Sequence, residues 1–106
     1  MNSYIQVTTT TETREEAQKI ARCLVEQKLA ACAQISEPIT STYRWKGKVE
    51  TTEEWLCVIK TQERLYQEVE KVIISLHSYE TPEIIAVPII KGSRDYLSWL
   101  QNETEN

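Results

Sequence analysis

Leu29-Ala30-Ala31-Cys32-Ala33-Gln34-Ile35-Ser36-Glu37-Pro38-Ile39-Thr40-Ser41-Thr42-Tyr43-Arg44-Trp45 is the stretch on which the fold turns. From Ala30 onward Ala31, Ala33 and Ile35 alternate with Cys32, Gln34 and Ser36, and after Pro38 the residues Ile39, Ser41, Tyr43 and Trp45 keep the same parity. A period of two over this length predicts one long strand. Its break falls at Pro38, where a missing N–H is tolerable only at a bulge or a sheet edge. Lys46-Gly47 supplies a turn, and Val49 to Thr61 is again strand, densest at Trp55-Leu56-Cys57-Val58-Ile59, where both faces are apolar. The middle third is therefore a long hairpin, with its inner strand expected to be buried on both sides.

Outward from the hairpin, the remaining elements follow from their own periods. Tyr4 to Thr10 is β-branched and aromatic, with Ile5 and Val7 on one face, and predicts a first strand. Thr13 with Glu16 forms a capping-box pattern ahead of Ala17, Ile20, Ala21, Leu24, Val25 and Leu29, an apolar helical stripe over Thr13 to Leu29. Thr61 is expected to cap a second helix with Glu63 in its first turn and Leu65, Val69, Val72, Ile73 and Leu76 as its stripe. After the loop from His77 to Thr81, Ile84 to Ile90 reads as a fourth strand, with Pro88 placing it at an edge. Ser93 caps a short helix carrying Tyr96, Leu97, Trp99 and Leu100, and Gln101 to Asn106 reads as a polar tail.

The order strand, helix, strand, strand, helix, strand, helix is a split βαβ arrangement with an added terminal helix. Right-handed crossovers predict an α+β, ferredoxin-like βαββαβ sandwich over residues 1–106, a single domain. Its antiparallel sheet has the spatial order 4-1-3-2, with the first two helices on one face. Nothing in the chain is assigned to the other face, and Tyr43, Trp45, Trp55, Leu56 and Val58 lie on strands too long for the helices to cover. An open apolar sheet invites association, so a closed homo-oligomer is expected.

Composition narrows the function classes. The 106 residues carry 12 Lys+Arg against 16 Asp+Glu, a net charge of -4, whereas nucleic-acid and anionic-membrane binders carry a basic surplus; neither partner is expected. Cys23, Cys32 and Cys57 cannot all pair and form no Cys-x-x-Cys, which fits a reducing cytoplasm. The start lacks a basic segment and apolar block, so a whole mature chain without a secretion signal or membrane span is the expectation. No Gly-rich phosphate loop, nucleophile motif or paired RNA-stacking strands occurs, and Thr9 to Thr13 lacks the glycine of an acylphosphatase-like cradle, so no enzymatic activity is expected.

Several motifs recur together: Leu29-Ala30-Ala31-Cys32-Ala33, Ser41-x-Tyr43-x-Trp45-x-Gly47-Lys48, Ile59-Lys60-Thr61, His77-x-Tyr79-Glu80-x-Pro82-Glu83-Ile84-Ile85 and Tyr96-Leu97-x-Trp99-Leu100. In this order, from Tyr4 to Leu100, the chain resembles the CutA divalent-cation tolerance family. The resemblance implies a ferredoxin-like subunit in a tightly packed trimer, cytoplasmic in bacteria, with a role in tolerance to copper and other divalent cations and a proposed copper-binding property. Ser78 departs from the proline that commonly follows the histidine, Thr9 from a cysteine and Leu76 from a second histidine of some members.

Two constellations follow. His77, the sole histidine, closes the second helix, where an imidazole either ligates a metal or, protonated, faces the helix C-terminus. Glu80 and Glu83 offer oxygen donors and Cys32, or a neighbouring subunit, completes the sphere, a set suited to Cu(II), Zn(II) or Ni(II) with copper tightest; folding is expected to need no metal. The plainer readings are solvated carboxylates, and for Cys32 a small buried hydrophobe. Tyr43, Trp45, Lys60 and Tyr79 form the second set, aromatic walls with one cation that suit a small anion or planar metabolite, as in trimers of the PII signalling type. Its plain alternative is interface packing with Lys60 paired to a glutamate. Cys23 and Cys57 read as structural, and Glu50, Glu53 and Glu54 as the solvated side of the arm.

Overall fold

The first helix starts as its capping residue dictates. In the computed structural model, which describes residues 3–104, the Thr13 hydroxyl accepts the Glu16 N–H at 3.1 Å, and α1 runs Arg14–Glu26. It stops three residues short of the expected end. Lys28 takes a left-handed φ of 59°, and the N–H groups of Lys28 and Leu29 donate to Val25 and Leu24 at 3.1 and 2.9 Å. This is a Schellman ending with lysine where glycine is usual.

Three partner strands share one long strand. β1 (Tyr4–Thr11), β2 (Cys32–Ile35), β3 (Ile39–Trp45), β4 (Lys48–Gln62) and β5 (Ile84–Ile89) are connected so that β3 pairs with the first half of β4 and β2 and β1 with the second. Every pairing is antiparallel, and the path β2-β4-β1-β5 is the expected order, with Pro88 on the edge. The break at Pro38 is patched by a side chain. Ser36 donates its N–H to the Leu56 carbonyl at 2.9 Å and accepts the Leu56 N–H on its hydroxyl at 3.2 Å, so the ladder groups of β4 stay satisfied across the gap. Lys46 and Gly47 both take positive φ, 51° and 84°, the geometry of a two-residue I′ hairpin turn.

Thr61 is not a cap. It is the penultimate residue of β4, and its buried hydroxyl donates to the Leu29 carbonyl at 2.6 Å. The chain then makes a 3₁₀ turn over Glu63–Leu65 and enters α2 (Tyr66–Leu76) without a side-chain cap. The core lies between α1, α2 and the sheet face of Ile5, Val7, Cys57 and Ile59, closed by Ala17, Ile20, Leu24, Val69 and Ile73. Burial pushes the Cys57 thiol up to about 11. Leu56 and Val58, on the opposite face of β4, are only half-buried, so the expected burial on both sides is met on one.

The opposite face is not wholly bare. α3 (Arg94–Asn102), capped by the Ser93 hydroxyl on the Tyr96 N–H, lies across one end of it. There Tyr4 donates to Gln101 at 3.1 Å, and the Gln62 amide donates to Thr104 at 2.6 Å. Leu100 is fully buried and Thr104 2% exposed, so residues 101–104 belong to the packed structure rather than to a polar tail; Glu105 and Asn106 lie outside the described residues. The remainder of that face keeps Ile85 and Val87 exposed, and the β3–β4 arm exposes Ile39, Tyr43, Trp45 and Val49. The arm stretches the chain to 44 × 25 × 23 Å. Its radius of gyration, 14.3 Å, exceeds the roughly 13 Å of a compact chain this long.

Two threonines of the same core face make opposite predictions. Thr9 is fully buried with an unpartnered hydroxyl, so Thr9→Val is expected to be neutral or stabilising by up to about 1 kcal/mol. Thr61→Val orphans the Leu29 carbonyl and should cost about 1–3 kcal/mol. Urea midpoints of the two variants check both signs.

Candidate functional site

The segment leaving α2 is pinned by its own histidine. His77 has a fully buried side chain. Its Nε2 lies 2.8 Å from the Thr10 carbonyl and its Nδ1 3.2 Å from the Tyr79 N–H. A carbonyl only accepts and an N–H only donates, so a neutral ring with its proton on Nε2 satisfies both. Both nitrogens are then spent on backbone groups: Nε2 carries the proton, and the one lone pair, on Nδ1, accepts the Tyr79 N–H and is not free for a metal. Glu16, 3.5 Å from Nδ1, is held by Ser78, whose N–H donates at 2.7 Å and whose hydroxyl lies 2.9 Å away, with Glu12 at 3.1 Å. A proline at position 78 has no N–H to give Glu16, so the departure noted in the sequence is part of this latch.

The other three candidate metal ligands do not join it. Cys32 stands opposite Lys60 on β4, which stands opposite Gln6, four positions along β1 from Thr10 and hence roughly 13 Å away. Cys32 is half-buried there against α3, its Sγ 3.8 Å from the Tyr96 hydroxyl. Glu80 and Glu83 are exposed, and Glu80 pairs with Lys46 at 3.6 Å. Among the described residues no three His, Cys, Asp or Glu side chains are arranged to hold a metal ion. The set His77, Glu80, Glu83 and Cys32 therefore does not fit a divalent cation within one chain.

The aromatic set fares differently. Tyr43, Trp45 and Tyr79 do come together, on a groove of about 920 Å³ between the β3–β4 arm and the 78–83 loop. Lys60 does not; it bonds Gln34 on the β2 side of the sheet. In its place the groove is lined by Glu12, Glu54, Glu80, Glu83 and Arg44, with Lys46 at its rim paired to Glu80 and 5.5 Å from the centre of the Trp45 ring, so acidic groups outnumber basic ones and the sign expected of the pocket is reversed. Glu54, read from sequence as solvated, is 6% exposed. Tyr79 donates to its Oε2 at 2.8 Å, and burial, then this bond to a carboxylate, raises the Tyr79 phenol well above the usual tyrosine range. Tyr43 reaches across the arm to the Thr52 hydroxyl at 3.2 Å. Glu54 escaped sequence reading because its burial comes from the 78–83 loop. The local hint was that the next two even positions of the strand, Leu56 and Val58, are apolar.

These features define an α+β protein with a five-strand antiparallel sheet, three helices and a ligand-sized groove beside a long β-arm. Residues 5–103 match the family model of the CutA1 divalent ion tolerance protein, and the chain belongs to this family. It is 43% identical over 102 residues to the chloroplastic protein CutA of Arabidopsis thaliana, covering 96% of this chain and 56% of that one. It is 42% identical over 104 residues to the divalent-cation tolerance protein CutA of Thermus thermophilus, covering 98% and 99%. The chain thus spans little more than half the plant relative and nearly all of the bacterial one. The crystal structure of CutA1 from Oryza sativa superposes with a TM-score of 0.95 at 39% identity, over 98% of this chain and 95% of that one.

The latch predicts an asymmetry between two substitutions. Ser78→Ala keeps the N–H to Glu16 and should cost under about 1 kcal/mol, whereas Ser78→Pro removes it and should cost about 1–3 kcal/mol, read from denaturant midpoints. Tyr79 predicts a pH effect. Below pH 10 both states hold the phenol proton; above it the unfolded chain releases it first, so folded stability falls as pH rises. The Tyr66 and Tyr96 phenols are raised as well. Tyr79→Phe is therefore expected to make the alkaline loss of stability shallower without abolishing it, in thermal melts above about pH 10.

Proposed function

We propose that the chain acts as a non-catalytic, cytoplasmic, ferredoxin-like subunit of a closed homotrimer in divalent-cation tolerance, taking its ligand where chains meet. The observation that carries the assembly is the apolar strand surface that α1, α2 and α3 leave open. Val87 and Ile85 are about half exposed, Val49 is 64% and Ile90 85% exposed, a concentration of apolar area that a soluble single chain does not ordinarily present. Three copies closing around the open face would cover it. The three free cysteines suit a reducing compartment, and no helix among the described residues is long and apolar enough to cross a membrane.

Chelation of Cu(II) by one chain's own donors is not part of this proposal, because His77 is committed to Thr10 and Tyr79. A divalent ion meeting Glu80 or Glu83 would need further ligands from a neighbouring copy. A second reading has its own support. The groove of Tyr43, Trp45 and Tyr79 has the size and mixed lining of a small-molecule site, which suits a module of the PII type that binds an effector and serves metal tolerance indirectly.

Light scattering of the purified protein at about 1 µM is expected to give three times the chain mass. A folded single chain at that concentration would overturn the assembly. Copper and zinc calorimetry on the same sample separates the two readings. Uptake at micromolar or tighter affinity that survives Ser78→Pro supports a site shared between chains, and no uptake leaves the effector module.

A further inference from the structure

One nitrogen of the buried His77 ring stands between two neighbours that require opposite protonation states of it. Nδ1 lies 3.2 Å from the Tyr79 nitrogen and 3.5 Å from a Glu16 carboxylate oxygen. The N–H needs a lone pair there, and the carboxylate needs a proton. While the ring is neutral the Tyr79 N–H is served, and Glu16 takes the Ser78 N–H and hydroxyl instead. A second proton on the ring can enter only at Nδ1, because Nε2 already holds one against the Thr10 carbonyl at 2.8 Å. Its arrival sets two donors against each other at Tyr79 and turns the Glu16 contact into a charge-assisted bond. His77 is the one histidine in the chain, and histidine is the side chain whose charge ordinarily changes between about pH 5 and 8.

The positive charge so formed has its counter-ion in place. α1 presents Glu16, whose side chain is 12% exposed, and the turn between β1 and α1 presents Glu12, bonded to the Ser78 hydroxyl. β1 itself offers the ring only the Thr10 carbonyl. On the loop side lies the Tyr79 ring, its centre 5.0 Å from that of His77, and beyond it Glu54 of β4. From the arm, Lys46 is taken by Glu80 and Arg44 lines the groove. Among the described residues Glu12, Glu16 and Glu54 form no ion pair with a lysine or arginine.

Tyr79 carries the change outward. The same residue that loses the acceptor of its N–H holds the 78–83 loop to Glu54 through its hydroxyl at 2.8 Å. The loop's other tie to the arm, Glu80 to Lys46, is exposed and weak. We propose that His77 is an acid-sensitive release for the 78–83 loop: a proton taken from solvent at Nδ1 transfers the ring from the Tyr79 N–H to Glu16, and the groove wall that Tyr79 forms comes away from Glu54. No covalent bond changes. The inference goes beyond the function proposed above and does not depend on what the groove or the assembly binds.

The test is NMR of the isotopically labelled native assembly from about pH 8 to pH 5. At the upper end the ring should carry its single proton on Nε2. On acidification Nδ1 should gain the second, and over the same interval the hydrogen-exchange protection of the Tyr79 amide, corrected for the intrinsic rate, should fall about tenfold or more. Ile59, paired on both sides within the sheet, should keep its protection, and nuclear Overhauser contacts between the Tyr79 ring and Glu54 should fade. Glu16→Gln keeps an acceptor for Ser78 without the charge and should move the release about half a pH unit or more lower. Four results overturn the proposal: a ring that stays neutral down to about pH 5, ring protonation that leaves the Tyr79 amide or its contact with Glu54 unchanged, loss of protection at Ile59 in step with Tyr79, or an unchanged midpoint in Glu16→Gln. A pH-dependent release that persists in a folded His77→Gln overturns it as well, and the other measurements decide the matter if that variant does not fold.

Discussion

Fifteen consecutive residues of β4 must find partners for their backbone groups, and no other strand in the chain is long enough to serve them all. β1 pairs with residues 55–62, β2 with 57–60 and β3 with 48–54. Because a buried unpaired N–H or carbonyl costs as much as a lost hydrogen bond, the point where β2 hands over to β3 needs a local remedy, and the Ser36 hydroxyl supplies it to Leu56. The same handover sends the arm of β3 and the first half of β4 away from the helices. An arm without a helix behind it has its side chains free to build a groove, and that is where the tyrosines, Trp45 and Glu54 are found.

The opposite wall of the groove exists because the His77 ring bonds to the backbone at both nitrogens. By closing on the Thr10 carbonyl and the Tyr79 N–H it ties the end of α2 to the end of β1 and sets the direction in which Tyr79 leaves the backbone. Glu16 contributes from α1 by holding Ser78. Three elements thus converge on one short loop, and the Tyr79 hydroxyl arrives at Glu54 as a consequence of that convergence. A ring engaged in this way trades ligand chemistry for geometry: a metal at either nitrogen would have to displace a backbone hydrogen bond in a buried place.

Strand alternation carried most of the architecture in the sequence. The parity kept across Pro38, the Lys46-Gly47 turn and the edge prolines are local signals, and they yield the observed strand order. What stayed hidden depends on partners distant in sequence. Thr61 looks like a cap because threonine before a glutamate often is one, yet β4 extends through it and the Leu29 carbonyl claims its hydroxyl. The end of α1 was overestimated because lysine, not glycine, occupies the left-handed position at residue 28. The candidate sites suffered most. Lys60 and Tyr79 are 19 residues apart, and nothing local says that Lys60 turns to Gln34 while Glu54 turns to Tyr79.

That exchange is why the groove's charge is informative. A surface glutamate costs nothing to leave unpaired, since water screens it; Glu54 is 6% exposed, and the bond its carboxylate accepts comes from the Tyr79 hydroxyl. Evolution toward packing alone would favour a neutral residue of similar shape at that position, because replacing a buried ionic group with an uncharged one is often stabilising. A glutamate there makes physical sense as the acceptor that holds the Tyr79 hydroxyl. The bond joins the arm to the 78–83 loop at one point, so the groove lined by Tyr43, Trp45 and Tyr79 keeps two walls instead of one arm projecting alone into solvent.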